Sequence, residues 1–245
     1  GGYATQGGGN PIFDFGYNLS SLNFQKAFNA LNSFQAMAPI GKFLEGSFNS
    51  TFSMSSELGD DLMPKLESIT ASGFMHTLNA KLANFPPLQK IGDKLDIKEF
   101  KSPIDLTDTK NWFEVQDGGV EIKAFDYAVQ GINMQIGGNH KLTGDMNYAI
   151  IAKIPRKLLG KNSVGAAANS GLAFLNKEAD KLGLDLKAGE FVNVQINLTG
   201  TITDPKVKIK LLGSEGEASL EDAVVSNVKE EAEKKLEELN QSMSI

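Results

Sequence analysis

The chain has 245 residues, of which 41% are hydrophobic and 22% are charged, so it can bury a sizeable core and is not broadly disordered. Its net charge of -6 argues against a nucleic-acid-binding protein, because such proteins need a basic surface to neutralise phosphates. It contains no cysteine, which excludes disulfides, zinc–thiolate sites and thiol nucleophiles.

The N-terminus is rich in glycine and does not begin with methionine. We predict that residues 1–10 are a flexible linker or a cloning remnant, because glycine-rich segments behave as random coils and no signal-peptide pattern is present. No apolar run in the sequence approaches the roughly 18 to 20 residues that cross a bilayer. We therefore expect a piece of a longer protein, with any membrane anchor upstream of it.

The next part of the chain alternates between strand and helix patterns. Apolar residues at every second position predict a strand over 13–19, and apolar residues at helical spacing predict a helix that is capped by the serine pair 20–21. The strand pattern returns over 44–54 and 69–81. A short helix is predicted over 86–97, because proline suits the first helical turn and leucine and isoleucine then recur at helical spacing.

The middle of the chain, 104–154, is a run of short alternating segments separated by turn residues. This spacing predicts an antiparallel meander, because it leaves no room for the crossovers that parallel strands need. Asp117-Gly118-Gly119 and Gly137-Gly138-Asn139 are both predicted to be tight turns. A longer helical stretch is predicted from Pro155 to about Leu182.

A hairpin with one apolar and one polar face follows at 192–211. Its first strand has valine, isoleucine and leucine on one side and asparagine, glutamine and threonine on the other. After the turn at Asp204-Pro205, the second strand alternates apolar residues with Lys206, Lys208 and Lys210. This period-two pattern predicts one buried and one solvated face.

The last segment, 213–245, is predicted to form an acidic C-terminal helix from about Ser219 to Leu239. Glutamate–lysine pairs four residues apart support this helix, and its narrow apolar stripe predicts light packing on the body or on a partner helix. We expect the body to remain folded when the tail is deleted. The many glutamates differ from the basic polar face of helices that bind membrane surfaces.

The sequence contains no pattern that predicts catalysis. His76 shares a predicted strand face with apolar residues, which indicates a structural histidine, and His140 falls in a Gly/Asn turn, which indicates a solvated one. Asp60, Asp61 and Asp204 lie in predicted loops, where carboxylates are usually solvated. The glycine runs lack the context of a phosphate loop, and no Gly-x-Ser-x-Gly elbow is present. We therefore predict a protein that is not an enzyme, with no catalytic residue, metal site or cofactor.

Several predicted strands share one apolar face and one face rich in Asn, Gln, Thr and Lys. One interpretation is an antiparallel sheet whose apolar face is covered by the helices, and the pattern alone favours it. The other is a curved sheet with a partly open trough for acyl chains, which stores roughly 0.8 kcal/mol of binding energy for each buried methylene. That trough would be lined by Ile132, Met134, Ile136, Met146, Tyr148, Ile150, Val192, Val194, Ile196 and Leu198.

Three segments resemble the AsmA family of envelope proteins. LTGTITDPKVKI, at 198–209, is similar to the strand–turn–strand that closes the C-terminal region of that family. The segment 111–155, with its Asp-Gly turn and the later LTGDMNY, resembles the family's recurring unit of strands. The segment 31–58 resembles a helix that leads into a strand in family members. Together the resemblance covers most of residues 11–212 and little of the tail.

This resemblance implies a periplasmic protein that is held in the inner membrane by an N-terminal helix outside this sequence. It also implies a long, curved β-sheet with a hydrophobic groove that moves phospholipid toward the outer membrane. The family has no catalytic residues that could be transferred to this chain.

We therefore expect an α+β fold with a curved, mainly antiparallel sheet flanked by helices and followed by a C-terminal α-helix. Residues 11–212 are expected to be an AsmA-like sheet domain that contributes a groove for phospholipid or another acyl-chain lipid. Its expected role is lipid transport and outer-membrane assembly or homeostasis. The alternative is a non-catalytic structural or protein-interaction module of the cell envelope, with envelope proteins as its partners.

Overall fold

One open antiparallel sheet dominates the fold. The computed structural model describes residues 2–4, 10–159, 171–182 and 190–212. Over this part of the chain, the strands form a ten-stranded sheet and a three-stranded sheet, and four α-helices connect them. The predicted α+β class, with a mainly antiparallel sheet flanked by helices, is confirmed.

The elements of the described residues are numbered in chain order. The strands are β1 (Gly2–Ala4), β2 (Ile12–Asn23), β3 (Leu44–Glu45), β4 (Ser47–Glu57), β5 (Thr70–Thr77), β6 (Lys81–Leu82), β7 (Ile104–Asp105), β8 (Lys110–Gln116), β9 (Gly119–Val129), β10 (Ile132–Lys141), β11 (Asp145–Pro155), β12 (Phe191–Thr201) and β13 (Pro205–Leu212). The helices are α1 (Phe24–Ala30), α2 (Asn32–Met37), α3 (Pro86–Leu95) and α4 (Gly171–Leu182).

The large sheet is a meander in which neighbouring strands follow one another along the chain. Its order is β1-β2-β4-β5-β8-β9-β10-β11-β12-β13, and each pairing is antiparallel. Antiparallel neighbours need only a tight connection, and four of these pairs are joined by turns of two or three residues: β8–β9, β9–β10, β10–β11 and β12–β13. Three longer insertions, at 24–46, 78–109 and 156–190, interrupt the meander. Within the first two insertions, β3, β6 and β7 form the small sheet.

The tight turns around β9 lie at Asp117-Gly118 and Gln130-Gly131, where all four residues have positive φ. The first was predicted, and two successive residues with positive φ are typical of a type I′ hairpin. The predicted turn at 137–139 is wrong, because these residues lie inside β10. Glycine is needed at 138 because β10 and β11 approach closely there, not because the chain turns. A Cβ atom at this position would lie 2.3 Å from the carbonyl oxygen of Asn147 on β11.

A β-bulge in β9 keeps the apolar side chains of that strand on one face. Val120 and Ile122 alternate with polar residues, and the alternation then restarts one residue late at Phe125. The register between β9 and β10 shifts at the same place, after Ile122. One extra residue in one strand of a pair is the definition of a bulge, and here it offsets the break in the sequence pattern.

The first helix begins later than predicted. β2 continues through the serine pair 20–21 to Asn23, and the side chain of Asn23 accepts a hydrogen bond from the backbone N–H of Lys26 at 3.0 Å. Asparagine is a preferred N-cap residue, so α1 begins at Phe24. The predicted short helix near Pro86 is confirmed as α3, with proline in its first turn.

The large sheet has an apolar face and a polar face. The apolar face is the side that carries Phe48, Ile136, Ile150, Ile196 and Ile209, on β4 and β10 to β13. The register aligns the last four of these across adjacent strands. Buried residues of α1, α2, α3 and α4 join this face in a single hydrophobic cluster, so the described helices of all three insertions pack on the same side of the sheet. The opposite side is the polar face.

Several predictions fall on residues outside the described part of the chain. The acidic tail at 213–245 lies there, as do residues 1 and 5–9 of the predicted linker, whereas Gly2–Ala4 form β1. Of the helical stretch predicted after Pro155, the structure shows a 3-10 turn at Arg156–Leu158 and then α4.

Replacing Gly138 by alanine tests the close approach of β10 and β11. Gly138 and Gly144 both have positive φ, but a Cβ atom at Gly144 would meet no atom within 4 Å. We expect Gly144→Ala to cost about 1 kcal/mol from backbone strain alone. Gly138→Ala adds a steric clash and should cost about 2–4 kcal/mol. Urea unfolding of the two variants measures the difference, and equal losses would contradict the contact.

Candidate functional site

The ten residues that were predicted to line a trough lie together on the apolar face. Ile136, Ile150 and Ile196 are opposite one another on β10, β11 and β12. Other members of the set pair across adjacent strands in the same way, for example Tyr148 of β11 with Leu198 of β12. Because side chains alternate between the two faces of a strand, this register places the whole set on one surface.

The covering helices seal most of this set. Eight of the ten are buried, and Ile136 and Tyr148 are half-buried at the edge of the same cluster. Ile91 and Leu95 of α3 pack on this region together with residues of α4. The Nζ of Lys94 in addition donates a hydrogen bond to the backbone carbonyl of Val207 on β13. A ligand could reach these side chains only if the helices moved away.

The apolar face is more open at the other end of the sheet. Five aromatic side chains form a continuous row there, which we call the aromatic row: Phe13, Phe15 and Tyr17 of β2, Phe52 of β4 and Phe113 of β8. Successive ring centroids are 6.0, 6.0, 5.1 and 6.2 Å apart. Phe52 is 6% exposed, Phe15 is 41% exposed, and the other three are half-buried.

The row crosses β5 at a glycine. Gly73 lies between Phe52 on β4 and Phe113 on β8, and a Cβ atom at this position would be 2.3 Å from the Phe113 ring. The ring therefore lies over the glycine backbone and brings the two phenylalanines together. Sequence reasoning identified β2 by its alternating aromatics but did not identify them as a site, and that alternation was the available signal.

His140 is a buried structural histidine, so the prediction that it is solvated is wrong. It is 6% exposed on the apolar side of β10, because β10 continues through the segment that was predicted to turn. Its Nε2 lies 3.1 Å from the carbonyl oxygen of Met37 in α2, and its Nδ1 lies 2.9 Å from the hydroxyl of Tyr148. A carbonyl oxygen can only accept, so Nε2 carries the proton and Nδ1 accepts from tyrosine.

Burial decides the protonation of this pair. Removal from water lowers the pKa of His140, although the carbonyls of Met37 and Ala36 oppose the shift. The same desolvation raises the pKa of the Tyr148 hydroxyl well above its usual value. Both groups are therefore neutral at physiological pH, and they attach the end of α2 to the sheet.

His76 lies on the polar face and pairs with a carboxylate. Its Nε2 is 2.6 Å from Oδ1 of Asp108, whose pKa is lowered by this hydrogen bond and by the charge of Lys110. The carboxylate is well exposed, so the pair is a surface interaction. The histidine has its partner, and nothing in its geometry indicates chemistry.

The other acidic residues considered from the sequence also lie at the surface. Asp60 and Asp61 are exposed in the connection between β4 and β5, and Asp204 is exposed 3.9 Å from Lys90. Within the described residues, no group of three or more histidine, aspartate or glutamate side chains could hold a metal ion.

No protein-family model, curated protein or solved structure matches the chain. In the part of the chain that the structure describes, the helices are too short or too polar to cross a membrane.

The His140 site predicts a specific pH dependence of stability. The folded state has a lowered histidine pKa, so the unfolded state binds more protons below the usual value near 6.5. The stabilisation is therefore complete above that pH and is lost as the pH falls through the folded-state pKa. The loss is at most about 1.4 kcal/mol per pH unit.

His140→Gln keeps an amide donor and an acceptor but cannot titrate. Between pH 7.5 and 5.5, its unfolding free energy should fall less than that of the unaltered chain. His76→Gln is the matched control at the half-buried histidine on the polar face. Parallel pH profiles for the His140→Gln variant and the unaltered chain, measured by urea unfolding, would contradict the assignment.

Proposed function

We propose that this chain is a non-catalytic part of an AsmA-like envelope protein and that its apolar face contacts the acyl chains of phospholipids. The observation that carries the proposal is the aromatic row, a partly exposed apolar surface on a long antiparallel meander. The resemblance of 111–155 and 198–209 to the AsmA family supplies the ligand class and the setting. That setting is the periplasm, in a parent protein anchored to the inner membrane that supports outer-membrane homeostasis.

The geometry of the row suits an acyl chain. From β2 to β8 it extends over three strand spacings, or about 14 Å. Its rings present only apolar atoms apart from the Tyr17 hydroxyl. Each methylene that it removes from water contributes roughly 0.8 kcal/mol, so a few methylenes are enough for measurable binding. Phe15 is 41% exposed, so more than half of its surface remains packed against the protein when no ligand is bound.

This proposal moves the lipid-contacting surface away from the final hairpin. The residues on β10, β11 and β12 that were predicted to line the trough form a packed core under the insertions. They support the sheet on which the aromatic row lies. Under the proposal, the partly exposed surface on β2, β4 and β8 meets lipid first.

A second candidate is a structural or protein-interaction module of the cell envelope. The observation that favours it is the sealing of the apolar face at β10 to β13 by α3 and α4. In that case the aromatic row would be covered by another protein, and purified protein would carry no lipid.

Two aspartate substitutions on the same face test the proposal. Ile196 is fully buried, so Ile196→Asp places an unpaired charge in the core and should cost at least about 3 kcal/mol, enough to unfold a marginal domain. Phe15→Asp leaves the charge in contact with water, so we expect folding to survive. Lipid occupancy, measured by native mass spectrometry after incubation with phosphatidylethanolamine, should then fall severalfold.

Trp112→Asp is the matched control for the loss of an exposed aromatic ring. Trp112 is 56% exposed on β8, next to Phe113 in sequence but on the opposite face. Its replacement should leave lipid occupancy unchanged. If the unaltered chain binds no phosphatidylethanolamine, or if the Phe15 and Trp112 variants lose it equally, the interaction module becomes the better explanation.

A further inference from the structure

The polar face has a buried centre at β11 and β12. Asn197 is 2% exposed and Gln195 is 7% exposed, and Ala149, which pairs with Asn197, is fully buried. Strand pleating places all three opposite to Ile150 and Ile196, and therefore on the polar side of the sheet. A solvated face of an antiparallel sheet would leave such residues in contact with water.

None of the described helices accounts for this burial. The buried residues of α1, α2, α3 and α4 belong to the cluster on the apolar face. The side-chain Nδ2 of Asn197 and Oδ1 of Asn147 are also buried, and neither has a hydrogen-bond partner among the described residues. Buried polar groups are normally paired, so this patch indicates that another element covers it.

The surroundings of the patch have a distinct chemical character. Ala149 and Ile151 form an apolar strip along β11, with Leu212 half-buried two strands away on the same face. Three exposed lysines of β13, at every second position, form the adjacent rim of the patch. We call them the lysine row: Lys206, Lys208 and Lys210. The element that fits has an apolar stripe and acidic flanks.

The chain itself supplies such an element. The segment 213–245 follows directly after β13, and it has nine acidic residues and three basic ones. The helix predicted within it, over 219–239, would be about 31 Å long, which is the length of roughly nine residues of β-strand. Its apolar stripe is Leu220, Val224, Val228, Ala232, Leu236 and Leu239. The six residues between β13 and this helix are enough for the chain to reverse direction.

We propose that the segment 213–245 folds back along β13 and packs as a helix on the polar face. Its apolar stripe lies over Ala149 and Ile151, and its acidic side chains lie toward the lysine row. The sheet then has helices on both faces at this end. The aromatic row, on the other face and at the other end, stays available, so the proposal is independent of the one for lipid.

Cross-linking tests the position, because the chain has no native cysteine. In the full chain, Thr199→Cys on the polar face of β12 is combined with Ala232→Cys in the tail. A short bis-maleimide should join this pair within one chain. Ser72→Cys with Ala232→Cys is the control on the polar face of β5, about 24 Å away across the sheet. Phe15→Cys with Ala232→Cys is the control on the apolar face.

Charge reversal tests the lysine row. Replacing all three of its lysines by glutamate should slow the Thr199–Ala232 cross-link by about three- to tenfold at low salt. The effect should shrink at 1 M salt, because screening removes surface electrostatics. Circular dichroism confirms that each variant is folded.

Each result either supports or overturns the proposal. An intramolecular cross-link at Thr199 that exceeds both controls and slows on charge reversal supports it. A cross-link that is stronger at Phe15 would place the tail on the apolar face. A product that is mainly dimeric would assign the tail to a second chain, and equal cross-linking of all three pairs would show an undocked tail. Any of these three outcomes overturns it.

Discussion

The whole architecture depends on a single constraint, which is that one face of a long sheet must be kept from water. Antiparallel meanders keep that face continuous only if every strand stays in phase with its neighbours. Here the phase is maintained by two-residue turns such as Asp117-Gly118, and by the bulge after Ile122 where the sequence pattern slips by one residue. A single uncorrected slip would turn the apolar residues of a strand toward solvent.

The covering layer decides how that face is used. The described helices of all three insertions pack on the same side, and they concentrate at β10 to β13 and at the start of β4. Phe48, for example, stacks between Phe24 and Phe34 of the first insertion, with centroids 4.3 and 5.5 Å away. Where the cover ends, the same face carries aromatic rings that pack mainly on one another. The apolar face thus has a sealed half that stabilises the sheet and a more open half that carries the aromatic row.

Buried polar groups on the sheet differ in whether they have a hydrogen-bond partner, and the apolar face itself has one without a partner among the described residues, the Oγ of Ser50. On the apolar face, His140 is tolerated because both ring nitrogens have partners, in Met37 and Tyr148. On the polar face, Asn197 is equally buried but its amide nitrogen has no partner among the described residues. A buried donor without a partner costs about 1–3 kcal/mol, so this difference carries structural information. The unpaired amide nitrogen of Asn197 lies in the patch that the proposed tail helix would cover.

The sequence by itself determined the strands of the meander, the apolar face of β10 to β13, the hairpin turn at Asp117 and the helix at Pro86, because these depend on local periodicity and turn chemistry. It mistook Gly138 for a turn residue and His140 for a solvated one, since glycine can serve either a turn or a close strand contact. Only the tertiary structure decided which part of the apolar face is sealed. That outcome depends on where residues that are distant in sequence, such as Leu95 and Leu175, pack on the sheet. Alternation along a strand contains no information about which element covers that strand.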